Sequence, residues 1–264
     1  MTILGRLVVA MPALYRPEIL ATTLWSFDRG LFRNFSQRTL ILNVDAVGID
    51  ADALPAKKAE ILALAHHYFD EVISRFTEQP GFSQAVQWIW QQAIKKESFF
   101  LHLEDDWVLN RPVPVQRVLD LLAQPGAASL RLQRQRNLHA SISPVFSLNP
   151  LFFNTTFIAQ ALTQFQTDRD PEKQFSSTPL SEALSQWKHL VMPDDAGGWV
   201  SDIGVHWRKS QGLRKVLLGN QSAWVPAQTS LAALWKNKLL LAFKLYLYRK
   251  RVALLAAFSR RTRS

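Results

Sequence analysis

Apolar runs and helical spacings alternate along the first hundred residues. Leu7-Val8-Val9-Ala10 is a short apolar run closed by Met11-Pro12, and from Arg16-Pro17-Glu18 the spacing of Leu20, Leu24 and Phe27 predicts a helix. Thr39 to Asp45 predicts a second buried strand with a polar end. A helix over about Pro55 to His66 and a strand over Tyr68 to Ile73 follow. Phe82, Ala85, Val86, Ile89, Trp90 and Ala93 then repeat at intervals of three and four, marking a helix over Phe82 to Lys95. A fourth strand, Phe99 to Leu103, runs directly into Glu104-Asp105-Asp106. Strands alternating with helices of this length predict an α/β fold with a mostly parallel sheet and right-handed crossovers. In such sheets ligands bind at the carboxyl ends of the strands, where the acidic cluster lies.

Beyond Ser129 the alternation weakens. Leu130 to Gln133 predicts a strand, Thr156 to Phe165 a helix, Pro193 to Trp199 an acidic turn, and Ser201 to Trp207 a late strand or loop. The apolar run Leu7 to Leu14 is too short for a membrane span and lacks a basic flank, so it is read as a strand. With 264 residues, 48% of them hydrophobic, the chain suits one large domain or one domain with an appendage. There is no cysteine, which excludes disulfides and cysteine-bound zinc and is compatible with a reducing cytoplasm.

The net charge of +10 is unevenly distributed. Of 31 Lys and Arg residues, 13 follow Asp202, and no Asp or Glu does, so the chain through Asp202 carries 18 basic against 21 acidic residues. Basicity belongs to the tail, and nucleic acid is not the expected partner. Leu231 to Phe258 is dense in Leu, Ala and aromatics yet interrupted at Lys236, Lys238, Lys244 and Arg249 to Arg251. No apolar stretch there approaches the roughly 20 residues of a spanning helix. Interfacial binding to an anionic membrane fits better, with Lys and Arg reaching headgroups while Trp235, Phe243, Tyr246 and Tyr248 lie at the acyl boundary. An oligomerisation helix or a partner-protein site would share this composition.

Hard divalent cations take oxygen ligands, and in phosphate chemistry they sit between carboxylates and phosphate oxygens. Three consecutive acids after an apolar strand repel one another beside a buried sheet edge, and a cation relieves that cost. A solvated acidic turn or a helix cap is the alternative. FFLHLEDDWVL resembles the strand and D-x-D-like metal motif of GT-A glycosyltransferases, in particular family-2-like bacterial members. VVAMPALYRPEILATTLWSF is similar to their opening strand and helix, and GFSQAVQWIWQQA to the helix before the metal motif. The resemblance covers Val8 to Leu109 in order. It departs from a strict D-x-D because Glu104 stands first.

The resemblance implies a GT-A catalytic domain over residues 1–228 with a basic helical tail over 229–264. It implies a nucleotide-sugar donor bound by Asp45, Arg16, Glu104 and Asp105, and Mn²⁺ or Mg²⁺ on Asp106 assisted by Asp105, with His206 as a third ligand. SLNPLF, Ser147 to Phe152, resembles the segment where a strand re-enters the sheet beneath the acceptor. DPEKQ, Asp170 to Gln174, resembles the element that carries the base of inverting members, making Glu172 the candidate and Asp170 or Asp202 the next; a plain helix start is the alternative. The implied activity is transfer of a sugar to an envelope glycan or glycolipid acceptor by a peripheral enzyme on the inner face of the cytoplasmic membrane. Arg208, Lys209, Arg214 and Lys215 are candidates for an anionic group or form a solvated face. His66, His67 and His102 are read as structural. A nucleotidyltransferase would share the fold and acids, but no Gly-rich loop bearing Lys or Arg follows the first strand; a non-enzymatic nucleic-acid binder would use the basic tail alone.

Overall fold

A computed structural model describes residues 4–134, 146–176, 180–193, 197–219 and 221–261. Strand and helix alternate as expected through the first hundred residues: β1 (Leu4–Leu14), α1 (Pro17–Gly30), β2 (Phe35–Asp45), α2 (Leu54–Tyr68), β3 (Glu71–Thr77), α3 (Phe82–Ala93) and β4 (Phe99–His102). Pro17 occupies the first turn of α1, where a missing N–H leaves nothing unpaired. β3 begins three residues later than the apolar pattern indicates. The reason is that α2 runs on to Tyr68, and its last turn is closed by the Phe69 N–H donating to the Ala65 carbonyl.

The second half is less regular. β5 (Trp107–Leu109), α4 (Val115–Leu122), β6 (Ala127–Arg131), β7 (Leu151–Asn154) and α5 (Thr155–Leu162) precede two single-turn helices, α6 (Lys173–Ser176) and α7 (Glu182–Ser185). Then come β8 (Lys188–Val191), β9 (Val200–Asp202), α8 (Gly204–Ser210), the hairpin β10 (Leu213–Leu218) and β11 (Gln221–Pro226), and the long helix α9 (Leu231–Arg261). The late strand or loop expected over Ser201 to Trp207 is thus a strand end followed by a helix start. Asp194 to Ala196 of the expected acidic turn lie outside the described residues.

The main sheet has seven strands in the order β3-β2-β1-β4-β7-β6-β8. All its pairings are parallel except those of β7, which runs antiparallel to both β4 and β6. β7 is the expected re-entering strand. Leu14, Asp45 and Thr77 stand side by side in register, so the carboxyl ends of β1, β2 and β3 form one straight edge. Alternate residues of β1 feed two cores: Leu7, Val9 and Met11 pack with α1, α2 and α4, while Val8 and Ala10 pack with α3 and α5. Both faces of β1 are fully buried, as a central parallel strand requires. His102 belongs to this core; its Nδ1 accepts from Trp90 Nε1 at 3.3 Å, and burial lowers its pKa to about 3.

α9 lies across α1 and α8. Leu241 and Leu245 pack with Ile19, Val108, Ile203 and Trp207, Arg249 donates to Thr22 Oγ1 at 3.2 Å, and Asn237 donates to the Lys209 carbonyl at 3.2 Å. On its other side Leu231, Trp235, Leu239, Phe243 and Tyr246 are each more than half exposed. Their spacing of four, four, four and three makes them one stripe along the helix. α9 therefore has two apolar faces, one docked and one open. Tyr248 packs against the docked side and does not join the open stripe. Among the described residues no helix is long and apolar enough to cross a membrane.

Candidate active site

Glu104, Asp105 and Asp106 lie in the turn between two pairing systems. Before them β4 belongs to the main sheet, and the Leu103 N–H still donates to the Ala10 carbonyl. After them β5 leaves that sheet to pair antiparallel with β9, Trp107 facing Asp202. The turn is held from both ends. Two further bonds fix its backbone: Thr23 Oγ1 donates to the Asp105 carbonyl at 2.6 Å, and the Ile203 N–H donates to the Asp106 carbonyl at 2.9 Å.

Arg16 reaches these acids from the loop after β1. Its Nε and Nη2 donate to the two carboxylate oxygens of Asp105 at 2.8 and 2.6 Å, and Nη2 also meets Asp106 Oδ2 at 2.9 Å. The Leu14 N–H is a further donor to Asp105 Oδ2, at 3.2 Å. Arg16 and Asp105 are almost wholly buried, at 4% and 1% exposure. Nη1 has no hydrogen-bond partner among the described residues, but the guanidinium carbon lies 4.8 Å from the centre of the Trp207 ring, a cation–π contact. Burial works against the Arg16 charge, but the two carboxylates outweigh it and hold its proton more firmly than usual. Burial raises the Asp105 carboxyl, with Arg16 opposing.

This arrangement corrects the electrostatic argument drawn from the sequence. The cation that relieves the acid cluster is a side chain, Arg16, and Asp105 has both oxygens committed to it. Asp106 differs. It is less buried, only its Oδ2 meets Arg16, and with Glu104 it lines a cavity of about 480 Å³.

That cavity opens along the carboxyl ends of β1 and β2. Its walls bring together the Pro12 to Leu14 strand end, Asp45 with the loop through Gly48, Pro80 to Gln84 at the start of α3, the three clustered acids, Asp170, Arg208 and Trp224. Asp45 is fixed by donors on three sides: Asn43 Nδ2 at 2.7 Å, Thr77 Oγ1 at 2.5 Å and the Gly81 N–H at 3.0 Å. Gly204, at the start of α8, touches Asp106 so closely that a Cβ there would overlap Oδ2. Asp202 accepts from the N–H groups of Gly204 and Val205 at 2.8 and 3.3 Å. Burial raises its carboxyl pKa, and the nearby Asp106 charge raises it further.

Three of the acid and histidine candidates, Glu172, Asp202 and His206, stand off the cavity wall. Glu172 is absent from the cavity wall, and its Oε2 accepts from the Leu148 N–H at 3.4 Å. Asp170, two residues earlier, is on the wall, and its Oδ1 accepts from the N–H groups of Glu172 and Lys173 at 3.0 and 3.3 Å. The helix-start reading of this segment therefore describes its local role. His206 is also off the wall. It lies on α8 next to Trp207, and successive helical residues point about 100° apart, so with Trp207 turned to Arg16 it faces another way. Burial, Lys244 and Lys209 lower its pKa.

Among the described residues no three His, Asp or Glu side chains converge as a metal-binding group, so Asp105, Asp106 and His206 are not assembled as one. The donor set still fits a cation of another kind. Mg²⁺ in phosphate chemistry takes one or two carboxylates and completes its shell with phosphate oxygens and water. Asp106 and Glu104 on the cavity wall meet that requirement. Gly204 against Asp106 and Trp207 against Arg16 belong to the Ser201 to Trp207 segment, which the sequence reads as returning to the site; Trp224 on the cavity wall has no signal in the sequence.

No protein-family model matches the chain, and no curated protein matches it. Solved structures do. TarS from S. aureus aligns over 96% of this chain and 42% of its own length, with 11% identity and a TM-score of 0.51. Residues 1–349 of TarS align over 78% of this chain and 63% of theirs, with 10% identity and a TM-score of 0.50. The mannosyltransferase PcManGT from Pyrobaculum calidifontis, in complex with GDP-Man and Mn²⁺, gives 11% identity, 97% and 74% coverage, and a TM-score of 0.49. The chain thus spans less than two thirds of the length of either TarS structure. At such identities the likeness is one of fold alone: a central sheet flanked by helices.

Removing one partner of a buried ion pair leaves the other charge uncompensated, at a cost of about 3–5 kcal/mol, whereas replacing both with apolar groups is often close to neutral. Arg16→Met is expected to lower stability by that amount in urea unfolding. The double variant Arg16→Met/Asp105→Leu is expected to recover part of the loss. Additive losses from the two substitutions would show that the pair is not coupled.

Proposed function

We propose that the chain is a metal-dependent, inverting glycosyltransferase that moves a sugar from a nucleotide-sugar donor to an acceptor hydroxyl. The observation that carries this reading is the cavity itself. It sits at the strand ends where α/β sheets bind nucleotides, with Asp45 at one side and Glu104 and Asp106 at another. The glycosyltransferase fold supports the same class.

In this reading Asp106 would hold Mg²⁺ or Mn²⁺ beside the donor diphosphate, and Asp45 and Glu104 would contact the nucleotide. When bound, the metal offsets the charge that develops on the departing diphosphate. Arg16 and Asp105 do not touch the donor; they orient Asp106. The acceptor oxygen attacks the anomeric carbon, the bond from that carbon to the diphosphate oxygen breaks, and the acceptor's proton passes to a carboxylate on the opposite face. Asp170 suits this role better than Glu172 because it is the acid of that segment on the cavity wall.

Asparagine caps a helix as well as aspartate does, so Asp170→Asn keeps the turn while removing the base. It is expected to cut turnover by about 10²- to 10⁴-fold with donor affinity nearly unchanged. Glu172→Gln is expected to retain turnover, and Asp106→Ala to lose metal-dependent nucleotide binding in calorimetry. Full turnover in Asp170→Asn with loss in Glu172→Gln would return the base to Glu172. A product with retained anomeric configuration would remove the base altogether.

The tail supports a further part of the reading, that the protein works at the cytoplasmic membrane on a lipid-linked or envelope-glycan acceptor such as lipopolysaccharide core or a capsule precursor. The open stripe of α9 supplies Trp235, Phe243 and Tyr246, with Lys236, Lys238, Lys244 and Lys250 beside it and no acid after Asp202. Deleting α9 would uncover Leu241 and Leu245 contacts as well, so substitutions on the open face test the idea more cleanly. Trp235→Glu/Phe243→Glu is expected to abolish co-sedimentation with anionic vesicles while leaving thermal stability unchanged. Equal binding by both forms, or by neither, would refute the role.

A further inference from the structure

We infer that Arg208, braced by Trp224, is the protein cation that receives the diphosphate of the donor. This rests on the nucleotide-sugar reading of the cavity and deepens it. The argument begins with charge. Among the described residues, five carboxylates line the cavity, those of Asp45, Glu104, Asp105, Asp106 and Asp170, against two guanidinium groups, those of Arg16 and Arg208. Arg16 is engaged by Asp105 and Asp106. Carboxylates thus outnumber guanidinium groups among the described lining residues, and a diphosphate entering beside them gains from a second cation.

Arg208 is differently placed. Its charge is felt by the Asp202 carboxylate, no hydrogen bond or close ion pair fixes it among the described side chains, and its guanidinium carbon lies 5.5 Å from the centre of the Trp224 ring on the neighbouring hairpin. Stacking on an aromatic face orients a guanidinium without using its N–H donors, which stay available for a bidentate contact. Position along α8 matters as much. Gly204 touches Asp106, and Arg208 is four residues further on, hence on the same helical face one turn away. The cation is therefore projected toward the space beside Asp106, where the reading above puts the diphosphate. Of the other basic candidates, Lys209 and Arg214 are not on the cavity wall.

Titration of the full chain with UDP and GDP in Mn²⁺, each beside its nucleoside, tests this. Arg208→Ala is expected to weaken binding of the nucleoside diphosphate by at least about tenfold, as loss of a charge-assisted contact does. Binding of uridine or guanosine is expected to stay unchanged, which also reports an intact fold. Arg208→Lys is expected to fall between, since an ammonium keeps the charge without the planar fork. Lys209→Ala serves as the charge-matched control and is expected to change nothing. Arg208→Ala with undiminished diphosphate affinity would overturn the inference while leaving the glycosyl-transfer reading intact; equal weakening of diphosphate and nucleoside would also overturn it. If the unchanged chain bound neither nucleotide, the reading beneath it would fall as well.

Discussion

An arginine buried between two aspartates is the constraint around which the cavity is organised. Pro17 disfavours a helical backbone at Arg16, which sits at φ −134° and ψ 69°, and Pro17 in turn opens α1, so the guanidinium is delivered from a backbone with little freedom. Asp105 and Asp106 come from a turn clamped between the main sheet and the β5–β9 pair. Neither charge would be tolerated alone at this depth. Together they close the loop after β1 onto the end of β4, the two segments any ligand at this edge has to touch. The consequence is a division of roles between neighbouring acids: Asp105 is committed to the fold, while Asp106 keeps a side to the cavity.

The same pair reaches outward through Trp207. Its ring lies against Arg16 and is packed from behind by Leu241 and Leu245 of α9, while Gly204, three residues before it, lies against Asp106. The acids, α8 and α9 are thus consecutive layers of one packed unit. This gives α9 a structural duty in addition to any duty at a surface. It also explains why a helix of such even apolar character is stable beside the domain: one face is docked, and only the opposite stripe remains open.

The parallel half of the fold was legible because β1, β2 and β4 are buried along most of both faces and α3 carries strong three-and-four spacing over Phe82 to Ala93, whereas the edge strand β3 is only partly buried. The position of the acids at a strand end followed from the same pattern. What stayed hidden came from contacts far apart in the chain. β5 is three residues long and exists through pairing with β9, more than ninety positions away. The partnership of Arg16 with Asp105 spans 89 residues and leaves no local trace in the sequence, where a metal is the only counter-charge the pattern offers. Glu172 and His206 were favoured by residue type, yet orientation within a turn or a helix decided between neighbours: Asp170 faces the cavity where Glu172 does not, and Arg208 does where His206 does not.

The account stands on the separation of Asp105 from Asp106, and crystallography with anomalous scattering from Mn²⁺ in the presence of a nucleoside diphosphate addresses it directly. The predicted result is a manganese peak beside Asp106, completed by phosphate oxygens, with Asp105 still bidentate on Arg16. A manganese ion ligated by Asp105, with Arg16 displaced from it, would contradict the account.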